Sequence, residues 1–369
     1  MGMWMPVAGV LITFLIFRKY FTFLWKRRIG ELPPGPIPLP VIGNLLDVSR
    51  GLPYDAAEKL VRKYGKIVSL MVGDQVTIFI ADLPLIRKAF KDDRFSGRPV
   101  TIWNYLGLAP NYSHPGIGME EGEIHREHRK FAEKALRDYG LGTSAGEVFI
   151  HQEVSELMQI LRDSHGQPMN NAFPFAATVS NVSSYMIYGT SFSPDDPKFI
   201  EYIEGDSQVK KESPAGSLLT MFPLLRFIPP FRGSFLRLKS GTVTKHKRVQ
   251  ELIAAHKERF DPNHPRDYID AYLVAQKSGL ASFTDKQLGY NVVDLFGASY
   301  GTSTTILRWA MLYMIVYPDV QTKIHEELDR VVGRSRQVAF ADRTYPALHR
   351  SDHSRNVSNG QLRAIFIAA

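Results

Sequence analysis

The chain has 369 residues, a formal net charge of +8 and no cysteine. With 44% apolar and 22% charged residues it can bury a sizeable core, in one large domain or two ordinary ones. The missing thiol excludes disulfides, iron–sulfur clusters, zinc–thiolate sites, cysteine nucleophiles and haem held by a thiolate, and leaves the redox compartment open.

The charge has a local source. Residues 1–28 hold five basic groups (Arg18, Lys19, Lys26, Arg27, Arg28) and no acid; removing those five from the total of 45 leaves 40 basic against 37 acidic side chains. A body so nearly balanced argues against a nucleic-acid binder, which usually carries its basic excess on the folded domain. The run Lys245-His246-Lys247-Arg248 reads as the solvated face of a helix.

Met3 to Phe17 is apolar or weakly polar, and the aromatic stretch Tyr20 to Trp25 follows. As a helix, Met3 to Trp25 spans about 34 Å, enough for a hydrocarbon core of about 30 Å. Basic residues after the apolar run, rather than before it, argue against a cleaved signal and put the body on the cytoplasmic side. A buried or interfacial helix is the alternative. Five prolines among residues 33–40 exclude a helix or a central strand and predict a stiff, extended strut between anchor and body.

In the body, Ile67 to Leu70 and Val76 to Ile80 flank Gly73-Asp74 and predict a hairpin. Most of the remainder is helical. Thr284 with Gln287 forms a capping pair, and no proline interrupts until Pro318, so a long helix is expected. Its middle is nearly charge-free between Asp294 and Arg308, which predicts an interior position. Pro318 opens another helix, with Val320, Ile324, Leu328 and Val331 as its apolar stripe and Gly333 as its stop. His125 and His128 have a spacing that suits a metal, in a heavily charged helix where solvated side chains are the plainer reading.

Several further segments, in order, carry a resemblance. They are Phe95-Ser96-Gly97-Arg98-Pro99, Gly122 to Phe131, Leu136 to Gly140, Phe192 to Phe199 with Asp195-Asp196-Pro197, Phe260-Asp261-Pro262, Asp267-Tyr268-Ile269-Asp270, Leu295 to Trp309, and Glu326-Glu327-Leu328-Asp329. Together with the anchor and strut, they resemble a microsomal cytochrome P-450 of the animal class that oxidises lipids, steroids and foreign compounds. The resemblance implies a mainly α fold with a small β-sheet: an incomplete cytochrome P-450 fold preceded by an N-terminal membrane helix. It divides the chain into an anchor (1–28), a proline-rich strut (29–45), the N-terminal and central part of the domain (46–348) and an unrelated tail (349–369).

By that resemblance, Arg98 and Arg129 hold haem propionates, and His125 stands where the family usually has a tryptophan whose indole N–H donates to one. Read alone, Arg129 is a surface arginine in a charged run. Ala298-Ser299-Tyr300-Gly301-Thr302-Ser303 matches the oxygen-side motif of the central helix, with Ala298 and Thr302 on one face and Thr302 as the hydroxyl that steers protons to dioxygen. Serine replaces the motif's glycine at 299, and glycine replaces its acid at 301. Without the family, the stretch reads as polar helix packing. Phe222 to Phe231 matches a region that dips into the membrane, with a buried loop as the alternative.

The family's Glu-x-x-Arg helix and cysteine loop are missing: no glutamate follows Glu327, and the pattern is lost after Leu348. The expectation is therefore a haem monooxygenase by family, membrane-bound at the endoplasmic reticulum, fed by an NADPH-cytochrome reductase and acting on an apolar substrate. This chain is expected to be inactive without the thiolate and to expose apolar surface. The alternatives are a non-catalytic membrane protein that competes for the reductase, or a splice or gene-model product.

Overall fold

The computed structural model describes residues 17–49, 53–73, 75–99, 101, 102, 106 and 116–344. Most of the expected anchor and all of the tail lie outside them. In chain order the helices are α1 (17–28), α2 (Leu45–Ser49), α3 (Pro53–Tyr64), α4 (Leu83–Ala89), α5 (Gly122–Asp138), α6 (Ser144–Asp163) and α7 (Ala172–Tyr188). There follow α8 (Pro197–Lys211), α9 (Ser213–Met221), α10 (Phe231–Glu258), α11 (Tyr268–Lys277), α12 (Asp285–Val316) and α13 (Pro318–Val331). Strands β1 (Ile67–Val72) and β2 (Gln75–Ile80) pair antiparallel, with Ile67 opposite Ile80 and Val72 opposite Gln75. The fold is thus mainly helical with one small sheet. Among the described residues, no helix is long and apolar enough to cross a membrane.

The chain divides into two compact units, residues 1–106 with 212–238, and residues 107–211 with 239–369. In the first, the proline strut is extended as expected but is not a free spacer. Its carbonyls are taken up by the sheet: Ser69 N donates to Pro34 O at 3.0 Å and Ser69 Oγ to Pro33 O at 2.5 Å. Arg27 Nη1 reaches from α1 to Pro36 O at 2.8 Å. A chain that cannot donate from its prolines still accepts, so the strut lies against β1. In α1, Phe23 is buried while Phe21 and Trp25 are exposed. The stretch 222–231 folds into a short 3-10 turn whose Leu224, Phe227 and Ile228 face solvent, which argues against the buried-loop alternative.

In the second unit, α7 packs along α12. Ser180, Asn181, Ser183 and Ser184 give α7 a small-residue face, and Ser184 Oγ returns its proton to Ser180 O at 2.8 Å, so the two helices approach closely without a stranded polar atom at Ser184. Phe131 of α5 meets Tyr272 of α11 and Phe283 edge-on, at ring separations of 5.7 Å and 5.1 Å, the arrangement aromatic quadrupoles favour. Gly189 ends α7 in the left-handed region at φ +66°, where a Cβ would stand 2.7 Å from Asp267 Oδ2. Gly189→Ala is expected to cost about 2 kcal/mol, read as a lower midpoint in urea denaturation.

α12 covers the expected span, and Thr284 Oγ1 accepts from Gln287 N at 3.1 Å as its cap. The reciprocal half of the capping pair is absent, because Gln287 Nε2 turns to Asn291 Oδ1 at 3.1 Å. The interior expectation holds only for the N-terminal half. Leu288, Asn291, Val292 and Phe296 are buried, whereas Trp309 is 52% and Ile315 69% exposed. In α13 the expected stripe is at most half-buried, and Ile324 is exposed. Gly333 stops α13 as expected, at φ +78° with its N–H on Leu328 O.

Candidate functional site

α5 begins after a tight turn at residues 116–120 and places His125, His128 and Arg129 on its first turns. His128 is fully buried. Its Nε2 lies 3.3 Å from Ser282 O, and its Nδ1 3.3 Å from Asn291 Nδ2, so one nitrogen donates to a carbonyl and the other accepts from an amide. Burial lowers its pKa, with the Ser282 carbonyl and Glu127 opposing. Both nitrogens being occupied, His128 forms no metal pair with His125; it is a core histidine in the aromatic cluster, 4.6 Å from the Phe283 ring.

His125 is half-buried, and its Nδ1 lies 3.1 Å from Ile117 O. Arg129 is exposed and pairs with Glu133 one turn on, Nε to Oε1 2.9 Å. That is the surface-arginine geometry, and such exposed pairs contribute little to stability. Arg98 belongs to the first unit; it is exposed, with Nη1 donating to Ser96 O at 2.8 Å.

On α12, Ala298 and Thr302 share an exposed face, one turn apart. Thr302 Oγ1 donates to Ala298 O at 3.0 Å, and Thr305 Oγ1 to Gly301 O at 2.9 Å. Each hydroxyl thus spends its proton on its own helix and keeps its lone pairs as acceptors. Asp294 is the nearest acid on the N-terminal side: its Oδ2 accepts from Gly118 N at 2.9 Å. Burial pushes its pKa up to about 6, against the Gly118 hydrogen bond. Asp294 was visible in the sequence only as an acid flanking an apolar run, with nothing to show that a glycine turn 176 positions earlier sits on it.

A second constellation, His256, Asp267 and Asp270, has ligand atoms close enough for a metal ion. Its hydrogen bonds assign it otherwise. His256 Nδ1 lies 3.0 Å from Leu252 O and Nε2 2.8 Å from Asp267 Oδ2, so both nitrogens face acceptors, an arrangement that suits the protonated ring, which has no lone pair to give a metal. Burial lowers its pKa, but the hydrogen bond to Asp267 and that carboxylate's charge outweigh it, and the net direction is upward. Asp270 is engaged by Arg266 Nε at 2.7 Å. The sequence signal for this cluster was Asp267 three residues ahead of Asp270 at a helix start, the pattern of an N-cap.

Of the groups that the resemblance implies for haem, the propionate donors Arg98 and Arg129 are present and the thiolate is not. Arg129 is engaged by Glu133, and His125 has its Nδ1 committed to a backbone carbonyl. What α5 and α12 share is an anchored turn, residues 116–120, and an open helix face carrying Ala298 and Thr302.

Comparison with known proteins bears on these elements as a set. A sequence model described as cytochrome P450 matches residues 33–345. The chain is 34% identical over 330 residues to human cytochrome P450 2J2, covering 87% of this chain and 64% of that protein. It is 32% identical over 341 residues to cytochrome P450 2J3 of Rattus norvegicus, covering 90% and 66% respectively. Cytochrome P450 2A9 of Mesocricetus auratus is 31% identical over 331 residues, with 87% and 66% covered. The chain thus spans just under two thirds of the length of these relatives. With a match running from the proline strut through α13, this chain belongs to the cytochrome P450 family.

Proposed function

We propose that the chain represents the N-terminal and central part (46–348) of a haem monooxygenase, behind a membrane anchor (1–28) and strut (29–45), with an unrelated tail (349–369). The protein resides at the endoplasmic reticulum membrane with its body facing the cytoplasm, and its partners are an NADPH-cytochrome reductase and an apolar substrate. The exposed Leu224, Phe227 and Ile228 support a membrane contact for the 222–231 stretch. In the family, haem on a cysteine thiolate supplies the activation of dioxygen.

This chain alone does not insert oxygen. One observation carries that conclusion: family membership across 33–345 in a chain without a single cysteine. Arg98 and Arg129 remain the propionate donors of this reading, with Ala298 and Thr302 as its oxygen-side pair. The purified full chain, reduced under carbon monoxide, is expected to lack the family's thiolate-type absorption band; its appearance overturns the proposal. The same missing thiolate supports a second reading, a non-catalytic protein that competes for the reductase. Co-purification with the reductase in the absence of haem supports that reading, and recovery of degraded aggregate alone counts against it.

A further inference from the structure

One peptide group in the turn before α5 is held at both its carbonyl and its N–H. Its carbonyl, Ile117 O, lies 3.1 Å from His125 Nδ1, and its N–H, on Gly118, donates to Asp294 Oδ2 at 2.9 Å. A carbonyl only accepts, so His125 Nδ1 carries a proton. Drawing the amide proton toward a carboxylate makes the carbonyl end of that amide a stronger acceptor, and hydrogen bonds linked in this way reinforce one another. The turn comes this near to α12 because it has no side chains in the way. A Cβ at Gly116 (φ +153°) would stand 2.6 Å from Asp294 Oδ2, and one at Gly118 3.2 Å from it. With its pKa at about 6, Asp294 is a carboxylate at neutral pH.

We infer that Asp294 is a positioning residue for His125: through the Ile117–Gly118 peptide it holds the imidazole proton on Nδ1 and leaves Nε2 as a bare lone pair. The position where the family usually offers an indole N–H to a haem propionate then offers an acceptor. An acceptor repels a carboxylate unless the ring takes up a second proton. The propionate enters only through the haem reading above, whereas the tautomer stands on this chain's own hydrogen bonds.

The test is nitrogen NMR on the full chain labelled with ¹⁵N-histidine, with the His125 signals assigned by their loss in His125→Gln. The expected spectrum has Nδ1 protonated and Nε2 bare. Asp294→Asn, whose amide oxygen still accepts from Gly118, is expected to keep that spectrum; Asp294→Ala is expected to add an Nε2-protonated population. A wild-type ring protonated on Nε2, or an alanine variant indistinguishable from wild type, overturns the inference. A packing role for Asp294 alone does not move these signals. Haemin titration at about pH 8.5, above the ordinary imidazole range, supplies the second arm. His125→Trp is expected to take up haemin about tenfold more tightly than wild type, and equal affinity removes the propionate consequence. If neither chain takes up haemin, the haem reading fails, and the ring-nitrogen spectrum alone decides the role of Asp294.

Discussion

Asp267→Ala is expected to lower the unfolding free energy by about 3–5 kcal/mol at pH 6. Asp267 is 1% exposed and serves two partners at once: Oδ1 accepts from Asp270 N at 2.9 Å as the N-cap of α11, and Oδ2 accepts from His256 Nε2 at 2.8 Å. Removing it strands a half-buried imidazolium from α10 and leaves the first turn of α11 uncapped. Asp267→Asn separates the two roles, because its amide oxygen can still cap the helix but carries no charge. The His256 pKa is raised above 6.5 in the folded chain, so its contribution is fully present below about pH 6.5 and is lost as pH rises through the folded value. Urea denaturation of wild type between pH 6 and pH 9 is expected to show that loss, and the asparagine variant is expected to lack it. Equal slopes in the two proteins would show that the ion pair contributes no stability.

Glu153→Gln is expected to have the opposite sign. Glu153 lies on the inner side of α6 at 2% exposure, facing Asn181 of α7. Asn181 already clasps the backbone of Phe192, donating to its O at 2.9 Å and accepting from its N at 3.0 Å. Burial is the main cause that pushes the Glu153 pKa up to about 7; Asn181 opposes it and Glu156 adds to it. The folded chain therefore keeps a proton that the unfolded chain gives up above about pH 4.5, and stability declines between those values. Glutamine keeps the shape and the hydrogen-bonding capacity without the titration. The variant is expected to be more stable than wild type by up to roughly 3 kcal/mol above pH 7 and to match it near pH 4. A variant no more stable at pH 7.5 would refute the buried-acid account.

Both residues escaped the sequence reading for the same reason. In the sequence Asp267 stands out only within the Asp267-Tyr268-Ile269-Asp270 segment of the resemblance, and Glu153 does not stand out at all. Neither position announces the neighbour that gives it energy: His256 is eleven residues from Asp267, and Asn181 lies on a different helix. The same holds for the haem-side residues. The i, i+4 relation of Ala298 to Thr302, and of His125 to Arg129, follows from helix periodicity alone. That Arg129 turns to Glu133, and that His125 is held by a turn anchored on Asp294, follows from which side chains the fold brings within reach.

What the sequence determined by itself is local chemistry and composition. The absence of cysteine, the basic N-terminus, the proline strut's refusal to become helix, the hairpin, the Thr284 cap and the Gly333 stop all depend on residues a few positions apart. Family membership was legible too, since it rests on the order of many short motifs. Tertiary structure alone decided that the strut lies against β1, that the C-terminal half of α12 is uncovered, and that two histidines three positions apart have opposite fates. His128 is sealed into the core with both nitrogens occupied, while among the described residues only Nδ1 of His125 is engaged. Protonation and burial are set by partners up to 176 positions apart, and the energy of such contacts comes from desolvation and geometry, which exist only once the chain has folded.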